Sequence, residues 1–126
     1  ITDLKQRGLL DETIVIWGEG PVTISNNIIS HNNSSKGAIL LGNGDDKIIS
    51  NNVIHANVGK HSSAGGINVG HDYVSGYGDG LALISGNTIT DNIGDGAYGS
   101  GINAYRQALI TNNFFSLFER LDTNFV

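Results

Sequence analysis

Three short segments of the sequence combine carboxylates with other polar and aromatic residues. They are NGDDK at residues 43–47, HDYVSGYGDG at residues 71–80 and YRQ at residues 105–107. Clustered carboxylates can hold Ca²⁺, because this cation prefers hard oxygen ligands. If the three segments lie together, the candidate calcium ligands are Asp45, Asp46, Asp72 and Asp79.

Basic and aromatic residues of the same segments suggest a second kind of chemistry. A basic side chain beside the carboxylates could act on an acidic sugar, as a proton acceptor or by holding its charge. The candidates for this catalytic role are Arg106 and His71. Tyrosine rings could stack on sugar faces, and the candidate substrate contacts are Tyr73, Tyr77, Tyr105 and Lys47.

The acidic segments also have a purely structural interpretation. Asp-Gly, Asn-Gly and Asp-Asp pairs are ordinary turn residues at the corners of a folded chain. A second group, His31, His55 and Asp91, could bind a metal ion. The positions aligned with them in other repeats hold alanine, serine and threonine, which favours an exposed strand face over a site.

The segments become neighbours only if the chain folds as a repeat. The phrase ISNNIISHN at residues 24–32 returns at residues 49–57, at residues 84–92 and, in altered form, at residues 110–118. One asparagine of the phrase recurs at intervals of 25, 35 and 26 residues, as Asn27, Asn52, Asn87 and Asn113. Equivalent residues of stacked coils lie about 4.8 Å apart. We therefore predict an asparagine ladder, in which each side chain bonds the amide of the next.

The residue before each ladder asparagine predicts a corner of the coil. It is asparagine at positions 26, 51 and 112, and glycine at position 86. Glycine and asparagine are the residues that share the left-handed backbone conformation. This substitution pattern favours a structural role for the repeated asparagines.

A second, fainter repeat follows each phrase. The segments KGAILLG, GGINVG and SGINAY align on Ile39, Ile67 and Ile102. Two short strands per unit of about 25 residues, separated by Gly/Asn/Ser turns, are typical of a parallel β-solenoid. The segments after the second strand of successive coils then emerge on one flank, and these segments are the three acidic ones. The insertion that lengthens one unit to 35 residues lies in the middle segment, as expected of a binding surface on a solenoid.

The repeated phrase resembles the right-handed parallel β-helix repeat of the pectate-lyase-like superfamily, which includes carbohydrate-binding and sugar-hydrolase repeat proteins. The resemblance covers roughly residues 21–116. It implies an all-β, single-stranded, right-handed parallel β-helix of about four to five coils. Enzymes of this superfamily combine calcium-binding carboxylates with a basic catalytic residue, which implies Asp45, Asp46, Asp72 and Arg106 as the set to test.

The two ends of the chain differ from the repeats. Residues 1–20 are predicted to form a cap, with a short amphipathic helix, a break at Gly8 and a strand over residues 13–17. The same stretch resembles an element of alkaline-phosphatase/sulfatase-like proteins, but the metal-binding residues that follow it there are absent. Residues 117–126 are predicted to form a C-terminal cap or an interface for end-to-end or homo-oligomeric association.

Composition limits the possible partners. The net charge of −5, with no basic run, argues against binding of nucleic acid, and no apolar run is long enough to span a membrane. The chain begins at Ile1 and has no methionine, which favours a processed piece of a longer product. Its Asn/Gly/Ser/Thr-rich surface favours a secreted or cell-surface location.

Three hypotheses of function follow from the sequence. The first is a carbohydrate-associated module that binds, or processes, an extracellular polysaccharide. The second is a non-catalytic structural or adhesive β-solenoid or an oligomerising fragment. The third is a calcium-dependent polysaccharide lyase, with a glycoside hydrolase as the other enzyme class, and Ca²⁺ as the implied cofactor.

Overall fold

The computed structural model describes residues 1–2, 5–7, 14–16, 20–35, 37–42, 44–60, 64–69, 80–94, 101–104 and 107–116. These residues form short β-strands and the connections between them, and the described part of the chain contains no helix. None of it therefore forms a helix of the length and hydrophobicity that a membrane crossing requires.

The described residues form sixteen strands, each of two to four residues. They are β1 Lys5–Arg7, β2 Ile14–Ile16, β3 Val22–Ser25, β4 Ile28–Ser30, β5 Asn33–Ser34, β6 Ile39–Leu41, β7 Lys47–Ser50, β8 Val53–His55, β9 Val58–Gly59, β10 Ile67–Val69, β11 Ala82–Ser85, β12 Thr88–Thr90, β13 Ile93–Gly94, β14 Ile102–Ala104, β15 Ala108–Thr111 and β16 Phe114–Phe115.

The strands assemble into four parallel sheets that run along one axis. Sheet A contains β3, β7, β11 and β15; sheet B contains β1, β4, β8, β12 and β16; sheet C contains β2, β6, β10 and β14; sheet D contains β5, β9 and β13. Every strand pair of the described residues is parallel. Each pair joins equivalent residues of consecutive repeats, such as Ile24 with Ile49 and Ile49 with Ile84. The chain is therefore a parallel β-helix, as the sequence predicts.

The described residues of each complete coil form four strands, twice the number predicted from the sequence. The difference arises at two corners where a single residue adopts a left-handed conformation and interrupts the repeated phrase. The first corner is the predicted one, with φ of 59° at Asn26, 56° at Asn51, 66° at Gly86 and 54° at Asn112. The second was not predicted, and its residues are His31, Ala56 and Asp91, with φ of 59°, 54° and 55°.

Ala56 is a strained member of the second corner, because an L-residue with a Cβ pays about 1–2 kcal/mol in this conformation. Ala56→Gly relieves this strain, but glycine loses more backbone entropy on folding than alanine does. The net effect should be a rise of about 0.5–1 kcal/mol in the free energy of unfolding. Urea unfolding measures the effect. The control is Ala104→Gly in β14, where φ is not positive and a loss of about 0.5–1 kcal/mol is expected. Equal losses at both positions would contradict the left-handed corner.

The predicted asparagine ladder is present. The side-chain oxygens of Asn52, Asn87 and Asn113 each accept two hydrogen bonds from the asparagine of the preceding coil. Asn52 Oδ1, for example, accepts them from the backbone N–H and Nδ2 of Asn27, both at 3.0 Å. Asn52 Nδ2 in turn donates to Asn87 Oδ1 at 2.9 Å and to the carbonyl oxygen of Ile24 at 3.0 Å. Asn87 makes the matching bonds to Asn113 at 2.9 Å. One amide side chain therefore joins three coils.

A second ladder lies after the second corner. Asn32 Nδ2 donates to Asn57 Oδ1 and Asn57 Nδ2 donates to Asn92 Oδ1, both at 2.9 Å. The ladder side chains are buried. They satisfy the backbone groups that the corners would otherwise leave without partners inside the molecule.

The core consists of apolar columns that run inside the sheets. Ile24, Ile49 and Ile84 form one column and Ile29, Ile54 and Ile89 another, and every one of these side chains is at most 2% exposed. The next members, Ile110 and Phe115, are 44% and 49% exposed. The described residues therefore cover the N-terminal end of both columns more completely than the C-terminal end.

The predicted N-terminal helix is not formed at residues 5–7. These residues form strand β1, which pairs with β4, because an edge strand of the first coil offers backbone partners that an isolated helical turn lacks. The predicted strand is confirmed over residues 14–16, as β2. The segment at residues 117–126 lies outside the described residues.

Candidate functional site

The candidate site lies where the chain passes from sheet C to sheet A, a region we call the C–A flank, comprising residues 42–46, 70–81 and 105–107. The residues before these segments are stacked, since Leu41 pairs with Val69 and Val69 with Ala104. The residues after them are stacked too, at Lys47, Ala82 and Ala108. The three segments therefore leave and re-enter the solenoid at equivalent points of neighbouring coils, as predicted.

Asp45 and Asp46 are both exposed on this flank. The Asp46 carboxylate accepts a hydrogen bond from the backbone N–H of Leu81 at 2.8 Å, and Leu81 accepts one from the backbone N–H of Lys47 at 3.0 Å. Asp46 thus fastens the end of the middle segment to the preceding coil. One of its oxygens is engaged in this structural role, and Asp45 remains an exposed carboxylate beside it.

Lys47 differs from its predicted role. It belongs to the inward-facing column of Val22 and Ala82, its side chain is fully buried, and its ammonium group donates to the carbonyl oxygen of Gly20. A buried ammonium is retained only where hydrogen-bond acceptors surround it. Lys47 therefore links the start of β7 to Gly20 of the preceding coil from within, and its buried side chain does not offer a substrate contact.

The remaining predicted residues of the flank lie outside the described residues. They are the catalytic candidates Arg106 and His71, the calcium candidates Asp72 and Asp79, and the substrate candidates Tyr73, Tyr77 and Tyr105. Their roles stay predictions. The ladder residues Asn27, Asn52, Asn87 and Asn113 are structural, as predicted.

A second polar cluster lies at the edge between sheets B and D, and we call it the corner histidine cluster: His31, His55, Thr90 and Asp91. His55 Nδ1 lies 2.9 Å from Thr90 Oγ1 and 3.3 Å from Asp91 Oδ2. The His31 and His55 rings meet edge to face, with centroids 5.5 Å apart and planes at 78°. Three consecutive coils therefore contribute side chains to one point on the surface.

The sequence placed these residues on an exposed strand face, and the side chains of His55 and Asp91 are indeed 39% and 43% exposed. Their mutual contacts were not predicted. His31 and Asp91 stand in corner positions with a left-handed backbone, and both side chains lie beside that of His55. As the side chains stand, no three histidine or acidic residues in the described part of the chain surround a point closely enough to hold a metal ion.

The fold defines the chain as a parallel β-helix in which the strand ends that flank the three segments are stacked in register. Comparison with known proteins gave no match, either to a protein-family model, to the curated proteins or to the solved structures.

Proposed function

We propose that the protein is a carbohydrate-associated β-helix module that binds an extracellular acidic polysaccharide along the C–A flank. The observation that carries this proposal is the in-register stacking of both ends of the three flank segments. It stacks the attachment points of three segments rich in Asp, Tyr, His and Arg, and paired strands lie about 4.8 Å apart. Loops on a rigid scaffold are the usual place for binding residues.

Calcium would act as a bridge in this module. Asp45 is exposed at the flank, and the adjacent segment carries Asp72 and Asp79. Hard carboxylate oxygens suit Ca²⁺, and the acidic groups of the polysaccharide would complete its coordination. Arg106 would bind a sugar carboxylate directly, since its planar guanidinium matches a carboxylate in two hydrogen bonds. Tyr73, Tyr77 and Tyr105 would stack on the sugar rings.

The proposal predicts calcium-dependent binding. Polygalacturonate and a panel of neutral glycans are titrated with and without millimolar Ca²⁺, and calcium alone should raise the melting temperature because it binds only the folded chain. Asp72→Asn and Arg106→Gln should each weaken binding of polygalacturonate at least about tenfold. Lys60→Gln is the control, because Lys60 is an exposed cation after β9, away from the flank.

Polygalacturonate binding that is the same with and without calcium would contradict the proposed site. So would an equal loss of affinity in Lys60→Gln and Arg106→Gln. The same mixtures report on catalysis. An unsaturated product that absorbs ultraviolet light would support a calcium-dependent lyase, with Arg106 or His71 as the base.

A second candidate function, a structural or adhesive solenoid, rests on a different observation. Ile110 and Phe115 belong to the core columns, yet they are 44% and 49% exposed at the C-terminal edge. An exposed strand edge with apolar neighbours favours association. Analytical ultracentrifugation of the protein used for the glycan titrations measures its oligomeric state and so distinguishes the two functions. A dimer that binds no glycan would support the structural role.

A further inference from the structure

We propose that the corner histidine cluster is a site for a divalent transition-metal ion such as Zn²⁺, with His31, His55 and Asp91 as its protein ligands. Imidazole nitrogen and carboxylate oxygen are common ligands of this ion, and an accessible site leaves its fourth position to water. The site is separate from the C–A flank and independent of the proposed glycan binding.

The separation of His55 and Asp91 already matches two ligands of one metal ion. Bonds of about 2.05 Å at a tetrahedral angle place neighbouring ligand atoms about 3.3 Å apart. His55 Nδ1 and Asp91 Oδ2 are 3.3 Å apart. This distance is long for a charge-assisted hydrogen bond, so an ion could enter between these atoms without moving the backbone.

The separation of the two rings agrees with the same geometry. A ring centroid lies about 3.2 Å from a metal bound through its nitrogen, so two imidazoles at a tetrahedral angle have centroids about 5.2 Å apart. The centroids of His31 and His55 are 5.5 Å apart. The three side chains do not yet surround a point, so a ring nitrogen of His31 must turn toward the ion, which rotation of this exposed side chain allows.

The scaffold holds the three ligands in place from beneath. His31 donates its backbone N–H to the carbonyl of His55 at 3.1 Å, and Ala56 donates to Thr90 at 3.0 Å. His31 and Asp91 both have a left-handed backbone, and both side chains lie beside that of His55. A rigid backbone lowers the ordering cost of binding.

Thr90 competes with the metal ion for His55. Its hydroxyl lies 2.9 Å from the same nitrogen, Nδ1, that would bind the ion. Metal binding requires this nitrogen to be without a proton and its lone pair to be free. Thr90 must therefore release His55 when the ion enters. Thr90→Val removes the competitor without removing a ligand.

The test is isothermal titration of the full chain with ZnCl₂, followed by Mg²⁺ as a hard-cation control. We expect one Zn²⁺ per chain and no binding of Mg²⁺ at this site. His31→Asn, His55→Thr and Asp91→Asn should each weaken Zn²⁺ binding at least about tenfold. Asparagine takes the left-handed backbone at the first corner, threonine stands at position 90 opposite His55, and asparagine is an isostere of aspartate. The variants should therefore fold, which circular dichroism without metal confirms.

Thr90→Val should bind Zn²⁺ at least as tightly as the wild type. His61→Ala and His71→Ala are the matched controls and should leave the affinity unchanged. The proposal is overturned if Zn²⁺ does not bind, or if the affinity falls in the His61 or His71 variant and persists in the His31 and His55 variants. Weaker binding in Thr90→Val would also overturn the assignment of His55 Nδ1 as the ligand atom.

Discussion

Replacing Asn52 by aspartate should lower the free energy of unfolding by about 3–5 kcal/mol. The substitution keeps the shape of the side chain and removes both of its N–H donors. The carbonyl oxygen of Ile24 loses the partner now at 3.0 Å, and a carboxylate oxygen replaces the amide nitrogen 2.9 Å from Asn87 Oδ1. The new negative charge is buried, since Asn52 is 1% exposed.

Urea unfolding of three variants tests this expectation. Asn33→Asp makes the same change on the exposed side of β5 and should alter stability by less than about 0.5 kcal/mol. Asn113→Asp should fall between the two, because Asn113 is only half-buried and its side chain donates to Ile84 at 2.9 Å. The loss in Asn52→Asp should shrink in acid, where the protonated carboxyl group regains one donor. Equal losses at Asn52 and Asn33 would contradict the ladder.

Replacing Gly37 by alanine should cost about 3 kcal/mol or more, for two reasons that act together. Its φ of +75° lies in the left-handed region, where a Cβ costs about 1–2 kcal/mol. A Cβ at this position would also lie 2.1 Å from the carbonyl oxygen of Ala64 in the next coil. Because this oxygen belongs to the backbone, relief requires the coils to separate.

Alanine substitutions at two other glycines separate the contribution of the left-handed backbone from that of the steric overlap. Gly86→Ala has the left-handed backbone, with φ of +66°, but its Cβ would meet the side-chain oxygen of Asn51, which can rotate away. We expect a loss of about 1 kcal/mol there. Gly20→Ala meets no described atom within 4 Å and has no positive φ, so its effect should be within about 0.5 kcal/mol. A loss at Gly37 no larger than at Gly86 would refute the close approach of the coils.

The fold could be predicted because its repeats can be recognised in the amino-acid sequence. The spacing of Asn27, Asn52 and Asn87 predicts which residues become neighbours, and the hydrogen bonds join these same residues. The number of strands could not be predicted in the same way. Serine and asparagine occur both in strands and at corners. A one-residue turn between apolar residues therefore cannot be distinguished in the sequence from a continuous strand. Ala56 hides the second corner further, since alanine rarely adopts positive φ.

For the candidate site, the sequence predicts only where the flank segments leave the strands of the solenoid. The alignment of Ile39, Ile67 and Ile102 predicts where the flank segments begin, and their pairing confirms it. The direction of the Lys47 side chain does not follow from its residue type. Lys47 precedes an apolar run beside two exposed aspartates, so its charge suggested exposure, whereas its strand register turns it inward. The convergence of His31, His55 and Asp91 depends on backbone twist at a corner, which residue type alone does not specify.

The ladder intervals of 25, 35 and 26 residues have a consequence for how this molecule can change over time. The long interval carries ten extra residues relative to the first, yet the strands on either side of it pair without any shift. Lengthening a loop costs little entropy, about 0.6 kcal/mol for each doubling. Selection can therefore enlarge, shorten or rewrite the segment between Val69 and Ala82 while the architecture beneath it is inherited intact.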